Sequence, residues 1–267
     1  MKQLKLMVLT LTLLMGTMFT SCMDSGESGP QQWAGVVKVN DRMGYVTFTD
    51  AAGTELIPTN TIPVTLNARM AYIYCQVDEG QDLSTNPKSI KITFLADPTG
   101  IDATAITTPK VGESGDVTTN ASVGSLSFVS GYSTVAPFQF SENTIVLPVL
   151  YRVKNVTTTE GIKNELAKHT FTLVCYTDDI KSGDTILKLY LRYKVEDEPA
   201  AIAERATRTS SFKAYEISQI LREYTLKSGQ TKPAKITIVA QQNEYNNKLE
   251  DTSTIEKVYE IEYKTAE

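Results

Sequence analysis

At 267 residues the chain is long enough for two ordinary domains, each burying its own core, and 41% hydrophobic with 21% charged residues excludes general disorder. Lysine and arginine total 26 against 31 aspartates and glutamates, and a net charge of −5 argues against nucleic acid and anionic head groups as partners.

The chain opens on Lys2 and Lys5, runs almost without a polar break over 6–19, and then reaches Thr20, Ser21 and Cys22. At about 1.5 Å per residue that run covers roughly two-thirds of a hydrocarbon core, too little to stay as a spanning anchor. Phe19-Thr20-Ser21-Cys22 resembles the lipobox of bacterial lipoproteins, with Phe19 where an aliphatic residue usually stands. The match predicts a signal peptide over 1–21 and a lipidated Cys22, palmitate among its chains. An ordinary secretory leader cut near Ser21 is the alternative. Each buried methylene contributes about 0.8 kcal/mol, so two or three acyl chains hold for practical purposes permanently. Residues 22–32 read as a solvated tether rich in Ser and Gly. Its acids, Asp24 and Glu27, favour the outer face of the outer membrane over periplasmic exposure without deciding between them. Loss of Lys2 and Lys5 with the leader takes the basic count from 26 to 24 against 31 acids, a net charge of −7.

Next come short runs rich in Val, Ile, Thr and aromatics at 33–39, 45–49, 54–57, 70–77 and 89–95, separated by turn-formers. Five such strands in about sixty residues suit a small barrel over 33–95. Residues 96–125, with Pro98, Gly100, Pro109, Gly112, Gly115 and Gly124, have the composition of a linker, although Ile101, Ala105 and Ile106 point to some packing. From 126 to 267 strands resume with turns every dozen residues or so, the pattern of a β-sandwich of antiparallel sheet. Pro148 places its strand at an edge or bulge. Short helices are expected over 161–168 and 199–206. Cys75 alternates with Ile73 and Val77, and Cys175 with Phe171 and Leu173, so both thiols are predicted buried and separate, one per domain, with a disulfide between them in an exported protein as the alternative.

A lipobox, a short OB-like barrel, a Pro/Thr-rich joint and a sandwich together resemble the NigD-like lipoproteins of Gram-negative anaerobes. The sequence echoes are His169-Thr170-Phe171-Thr172-Leu173 leading through Asp178-Asp179, and Ser210-Ser211-Phe212-Lys213-Ala214-Tyr215-Glu216-Ile217. The resemblance implies an all-β chain with an OB-type first domain and an immunoglobulin-like second domain, and it implies no catalytic core.

Motifs for chemistry are sparse. His169 is the one histidine, and no Cys-x-x-Cys, His-Glu-x-x-His, phosphate loop or Gly-x-Ser-x-Gly occurs. Asp178, Asp179 and Asp184 crowd a predicted hairpin turn, but their spacing does not follow an EF-hand loop. No cofactor and no metal are expected. With Ile73, Cys75 and Val77 inward, Tyr72 and Tyr74 face outward, as does Tyr45 opposite Val46 and Phe48. Three exposed tyrosines on a barrel make a candidate face for a sugar or an extended polymer, against the alternative that they pack on other parts of the chain. The expected function is that of a non-enzymatic, lipid-anchored envelope module binding a partner protein or a glycan. A carboxylate-dependent hydrolase of polysaccharide or peptide is the alternative, and it requires two acids converging in one cleft.

Overall fold

The computed structural model describes residues 31–42, 44–60, 66–83, 87–113, 115–130 and 133–265, so the predicted leader, Cys22 and most of the tether lie outside the described residues. Packing divides the chain into two units, one of residues 1–103 with 129–133 and one of residues 104–128 with 134–267.

The first unit is an OB-like barrel. β1 (Gln32–Arg42), β2 (Tyr45–Thr49), β3 (Glu55–Pro58), β4 (Met70–Val77) and β5 (Ser89–Phe94) follow the order β1-β2-β3-β5-β4 and return to β1. Closure falls to the eleven-residue β1, whose first half pairs antiparallel with β4 and whose second half pairs with β2. Gln32, expected in the tether, already pairs with Gln76. β3 and β5 run parallel. The inward residues Trp33, Val37, Phe48, Leu56, Ile73, Cys75 and Ile92 fill the interior, with Phe48 and Phe94 edge to face at 5.5 Å. β6 (Thr99–Ile101) pairs with β4 and buries Ile101.

That strand begins the correction to the linker predicted over 96–125. β7 (Ala103–Ala105) joins a sheet of the second unit, and Ile106, Ala121 and Val123 lie in that unit's core. Proline and glycine report bends, not exposure, and the backbone here finds partners on strands. The Thr107 N–H donates to Leu173 O at 3.0 Å, the Cys175 N–H to Thr107 O at 2.9 Å, and Asn120 Nδ2 to Val195 O at 2.9 Å. Ala105, in contrast, is exposed.

The second unit is a β-sandwich, as the turn spacing predicts. After the ribbon of β8 (Phe128–Ser130) and β9 (Ser133–Val135), whose residues 129–133 group with the first unit, the strands are β10 (Phe138–Ser141), β11 (Thr144–Val153), β12 (His169–Val174), β13 (Ile186–Val195), β14 (Thr207–Glu216), β15 (Lys235–Gln242) and β16 (Ile255–Glu262). They build one sheet in the order β10-β11-β14-β7 and another in the order β12-β13-β15-β16. Pro148 sits on β11 beyond its pairing with the short, bulged β10, where the strand has lost that neighbour. The pairing of β13 with β15 departs from the antiparallel expectation and is parallel, because the chain runs β14 in the opposite sheet before returning.

Three helices serve these sheets. α1 (Thr159–Ala167) starts at Thr158, whose hydroxyl accepts the Gly161 N–H at 3.1 Å, and α2 (Pro199–Ala203) starts at a proline. Sequence reading misses α3 (Ser218–Ser228), although Ile217, Ile220, Leu221 and Tyr224 repeat at helical spacing and Gly229 closes it with φ +75°, a conformation that favours glycine.

α1 buries a single side chain, Glu165, and docks through charge. Arg205, fully buried beyond α2, donates from Nε to Glu165 Oε1 at 2.7 Å and from Nη2 to Asp197 Oδ2 at 3.2 Å, while Lys154 and Lys168 ion-pair with Asp197. Glu165 Oε1 also lies 3.3 Å from His169 Nε2, and His169 Nδ1 lies 2.6 Å from the Tyr193 hydroxyl. A carboxylate only accepts, so Nε2 carries the proton and Nδ1 accepts from the tyrosine. Burial by itself raises the Glu165 carboxyl, but hydrogen bonds from the Lys154 N–H, Arg205 and His169 outweigh it and hold the group below its ordinary value. Removing one member of such a buried pair costs about 3–5 kcal/mol, because the other charge is stranded.

Two outcomes follow from burial. It lowers the His169 pKa against the pull of Glu165. An unfolded histidine takes its proton near pH 6.5, so the stability that neutral His169 contributes is complete above about that pH and is lost as pH falls toward the lowered value. Melting followed by circular dichroism at neutral and mildly acid pH is expected to show a drop that His169→Gln makes smaller; equal drops would contradict the assignment. Burial also pushes the Cys75 and Cys175 thiols up to about 12. Neither should react with a thiol reagent at pH 8 until denaturant opens its own unit, and prompt labelling of Cys75 or Cys175 in the native Cys22→Ala chain would refute their burial.

Candidate functional site

The structure does not bring the three predicted tyrosines together. Tyr72 and Tyr74 lie on the outer face of β4, opposite Val36 and Ala34 of β1, whereas Tyr45 pairs with Arg42 at the far end of the same strand. Six residues of strand separate Val36 from Arg42, about 20 Å at 3.3 Å per residue. Tyr72 is half-buried beside Thr99 of β6, and Tyr74 gives its hydroxyl proton to Gln32 Oε1 at 2.5 Å. The two-residue period assigns the outward side of β4 correctly, but it carries no register between strands, and register is what separates Tyr45 from the pair.

A denser grouping occurs on the outer face of the β12-β13-β15-β16 sheet. Leu187, Leu189, Leu191 and Tyr193 of β13 are buried in the core, so Lys188, Tyr190, Arg192 and Lys194 point outward. Tyr176, at the end of β12, meets Tyr190 edge to face at 5.3 Å. The Arg192 guanidinium lies 5.2 Å from the Tyr190 ring and 5.7 Å from the Tyr176 ring, and its Nη2 donates to the Tyr176 hydroxyl at 2.8 Å. That hydroxyl donates in turn to Asp116 Oδ1 at 2.8 Å. The Gly112 N–H and the Tyr176 hydroxyl hold the Asp116 carboxyl below its ordinary value. Lys188 Nζ covers Tyr190 at 5.0 Å. The rings are therefore pinned in place before any ligand arrives.

Beside them opens a cleft of about 500 Å³ whose walls include Tyr176, Tyr190, Lys188, Asp179, Asp184 and Thr237. Its acidic rim is the turn singled out from the sequence, and α3 holds it in shape. Lys227 pairs with Asp178 at 2.9 Å and donates to Thr177 O at 2.9 Å, Tyr224 donates its hydroxyl to Asp184 O, and the Gly183 N–H donates to Ser228 O at 2.8 Å. The Lys227 bond and charge hold the Asp178 carboxyl below its ordinary value. Asp184 Oδ2 accepts the Lys181 N–H at 2.7 Å. The Asp178 and Asp184 carboxylates help build the turn, while Asp179 lines the cleft. Among the described residues no three His, Cys, Asp or Glu side chains gather as a metal site. His169, eight per cent exposed and bonded at both ring nitrogens, has no face toward a substrate.

Sequence reasoning missed Tyr176, Lys188, Tyr190 and Arg192 as a group, although the signal for three of them was present. Lys188, Tyr190, Arg192 and Lys194 alternate with Leu187, Leu189, Leu191 and Tyr193. What the pattern lacks is the partner: Tyr176 arrives from β12 through the sheet register. Arg192→Gln should cost about 1–2 kcal/mol in urea unfolding through the lost ring contacts and hydroxyl bond, with Arg192→Lys recovering only part of it. An unchanged midpoint for Arg192→Gln would mean that the guanidinium does not pin the rings.

The grouping sets the partly exposed Tyr190 ring among side chains that donate and accept hydrogen bonds, while Tyr176 is buried behind it. No family model matches the chain, and no curated protein matches it. Among solved structures it is similar to a crystallised protein from Bacteroides vulgatus ATCC 8482 of unknown function, at 10% identity over 88% of this chain and 92% of that one with a TM-score of 0.53, a likeness of fold alone. It is also similar to a crystallised protein from Bacteroides fragilis NCTC 9343 named as a lipoprotein, at 96% identity over 89% of this chain and 100% of that one with a TM-score of 0.82. At that identity and coverage, the chain belongs to the family of this Bacteroides lipoprotein.

Proposed function

We propose that this lipoprotein is anchored by lipid on Cys22 to the outer membrane, with its folded units at the cell surface, and that it works as a non-enzymatic binding module for a glycan. The observation that carries the binding reading is the partly exposed Tyr190 ring, held against buried Tyr176 and Arg192 at the mouth of the cleft. Sugar rings present flat C–H faces that stack on aromatic rings, and hydroxyls that pair with the carboxylates, hydroxyls and ammonium groups around them. The anchoring reading draws on the charged start, apolar run and lipobox-like end of the first 22 residues, and on the lipoprotein family. A barrel followed by a sandwich is also the arrangement that a NigD-like lipoprotein would have.

The hydrolase alternative needs two free acids facing one scissile bond. The commitment of Asp178 to Lys227 and of Asp184 to the Lys181 N–H weighs against it.

Binding of the mature chain to an array of envelope and dietary glycans tests the reading. Tyr190→Ala is expected to weaken the retained glycan about tenfold, the order of one lost stacking contact, while Tyr45→Ala leaves retention unchanged. No retained glycan, or equal retention by Tyr190→Ala, would sink the binding assignment. Labelled palmitate should enter the parent chain and not Cys22→Ala, and its exclusion from the parent would remove the anchor.

A further inference from the structure

On the outer face of the other sheet, Arg152 of β11 and Arg208 of β14 stand directly opposite each other across the strand pair. Like charges in that position repel. Neither forms an ion pair with any described carboxylate. Both turn instead to one backbone oxygen: Arg152 Nη2 donates to Glu244 O at 2.7 Å and Arg208 Nη2 to the same atom at 3.0 Å, while Arg152 Nη1 donates to Ala206 O at 2.9 Å. A carbonyl supplies a dipole but no charge, so two positive charges converge without an ion pair among the described residues, on a chain whose overall balance is acidic. Burial and the neighbouring Arg208 both work against the Arg152 cation.

The turn that supplies the shared carbonyl is prebuilt. Asn243 Oδ1 accepts the N–H groups of Tyr245 and Asn246 at 2.9 and 3.1 Å, and Asn247 Nδ2 donates to Arg152 O at 3.1 Å. Tyr245, the residue after the shared carbonyl, is 73% exposed. A guanidinium has five N–H donors in a planar fork suited to two-oxygen acceptors, and Arg208 keeps Nε and Nη1 free of protein partners.

We infer that Arg152 and Arg208 form an oxyanion site for the carboxylate of a uronic-acid sugar in an acidic glycan, with Tyr245 as the ring its sugar face lies against. A carboxylate bound beside the guanidiniums, at donors that Glu244 O leaves open, offsets the cross-strand repulsion that the free protein carries, so occupation lowers the energy of both sides. The exposed ring distinguishes a sugar acid from a bare inorganic anion. The site lies on the opposite sheet from the Tyr190 grouping and does not depend on it.

Calorimetric titration of the mature chain with an oligogalacturonate, its methyl ester and inorganic sulfate tests the inference. The acid should bind, its ester should not, and added salt should weaken the acid. Arg208→Gln, which gives up one surface bond, should bind about tenfold more weakly while melting with the parent, and Arg208→Lys should recover only part of the loss. The double change of Arg152 and Arg208 to Gln should abolish binding, and Tyr245→Ala should weaken it. Failure of the acid to bind, equal binding of the ester, or parental affinity in Arg208→Gln would overturn the site. Binding of sulfate alone would overturn the glycan assignment, leaving a small-anion site.

Discussion

Leu187, Leu189 and Leu191 are buried along one side of β13, and a strand's alternation leaves Lys188, Tyr190 and Arg192 no place but the other side. Each outward group on that surface is fixed by an inward neighbour that cannot turn without exposing the core. Because the core contacts are many and each outward contact is one, the core sets the surface. The same coupling holds on β11, where buried Tyr151 stands beside Arg152, and on β4, where Ile73 and Cys75 bracket Tyr74. The outward surface of each strand is a by-product of parity, refined by what lies across the strand.

What lies across is decided by register. Tyr176 reaches Tyr190 because β12 and β13 pair in one alignment, with Val174 opposite Tyr190. Arg152 meets Arg208 because β11 and β14 pair in another. A slip of one residue in either ladder would turn a whole row of side chains from the core to water, so both alignments are held firmly by burial. In the barrel the long β1 does the corresponding service, dividing its length between β4 and β2 and so separating Tyr45 from Tyr72 and Tyr74.

Charge takes a second structural part. α1 and α2 carry little apolar surface inward, Glu165 being the buried side chain of one and Ile202 that of the other. Their docking relies on Arg205, Glu165, His169 and Tyr193, a chain of bonds in which each buried polar group satisfies its neighbour. A buried ion pair gains little over a well-packed apolar contact, but it penalises alternative placements of the helices, since any of them strands a charge. The sole histidine is thereby absorbed into architecture.

The sequence alone determined the properties that depend on local order: the strand segments, the inward and outward sides of β4, β12 and β16, the two short helices, the buried thiols and the division into barrel and sandwich. The leader and Cys22 are read from composition over a contiguous stretch that lies outside the described residues, and they remain part of the proposal. Sequence reading misjudged 96–125, since bends and exposure share a composition, and passed over α3, whose helical spacing in Ile217, Ile220, Leu221 and Tyr224 follows directly on a strand. Only the tertiary structure decided which outward residues meet. Register, the parallel return of β15 beside β13, and the convergence of Arg152 and Arg208 on Glu244 are relations between segments far apart in the chain. No local period encodes them, because they are fixed by the joint burial of both sheets.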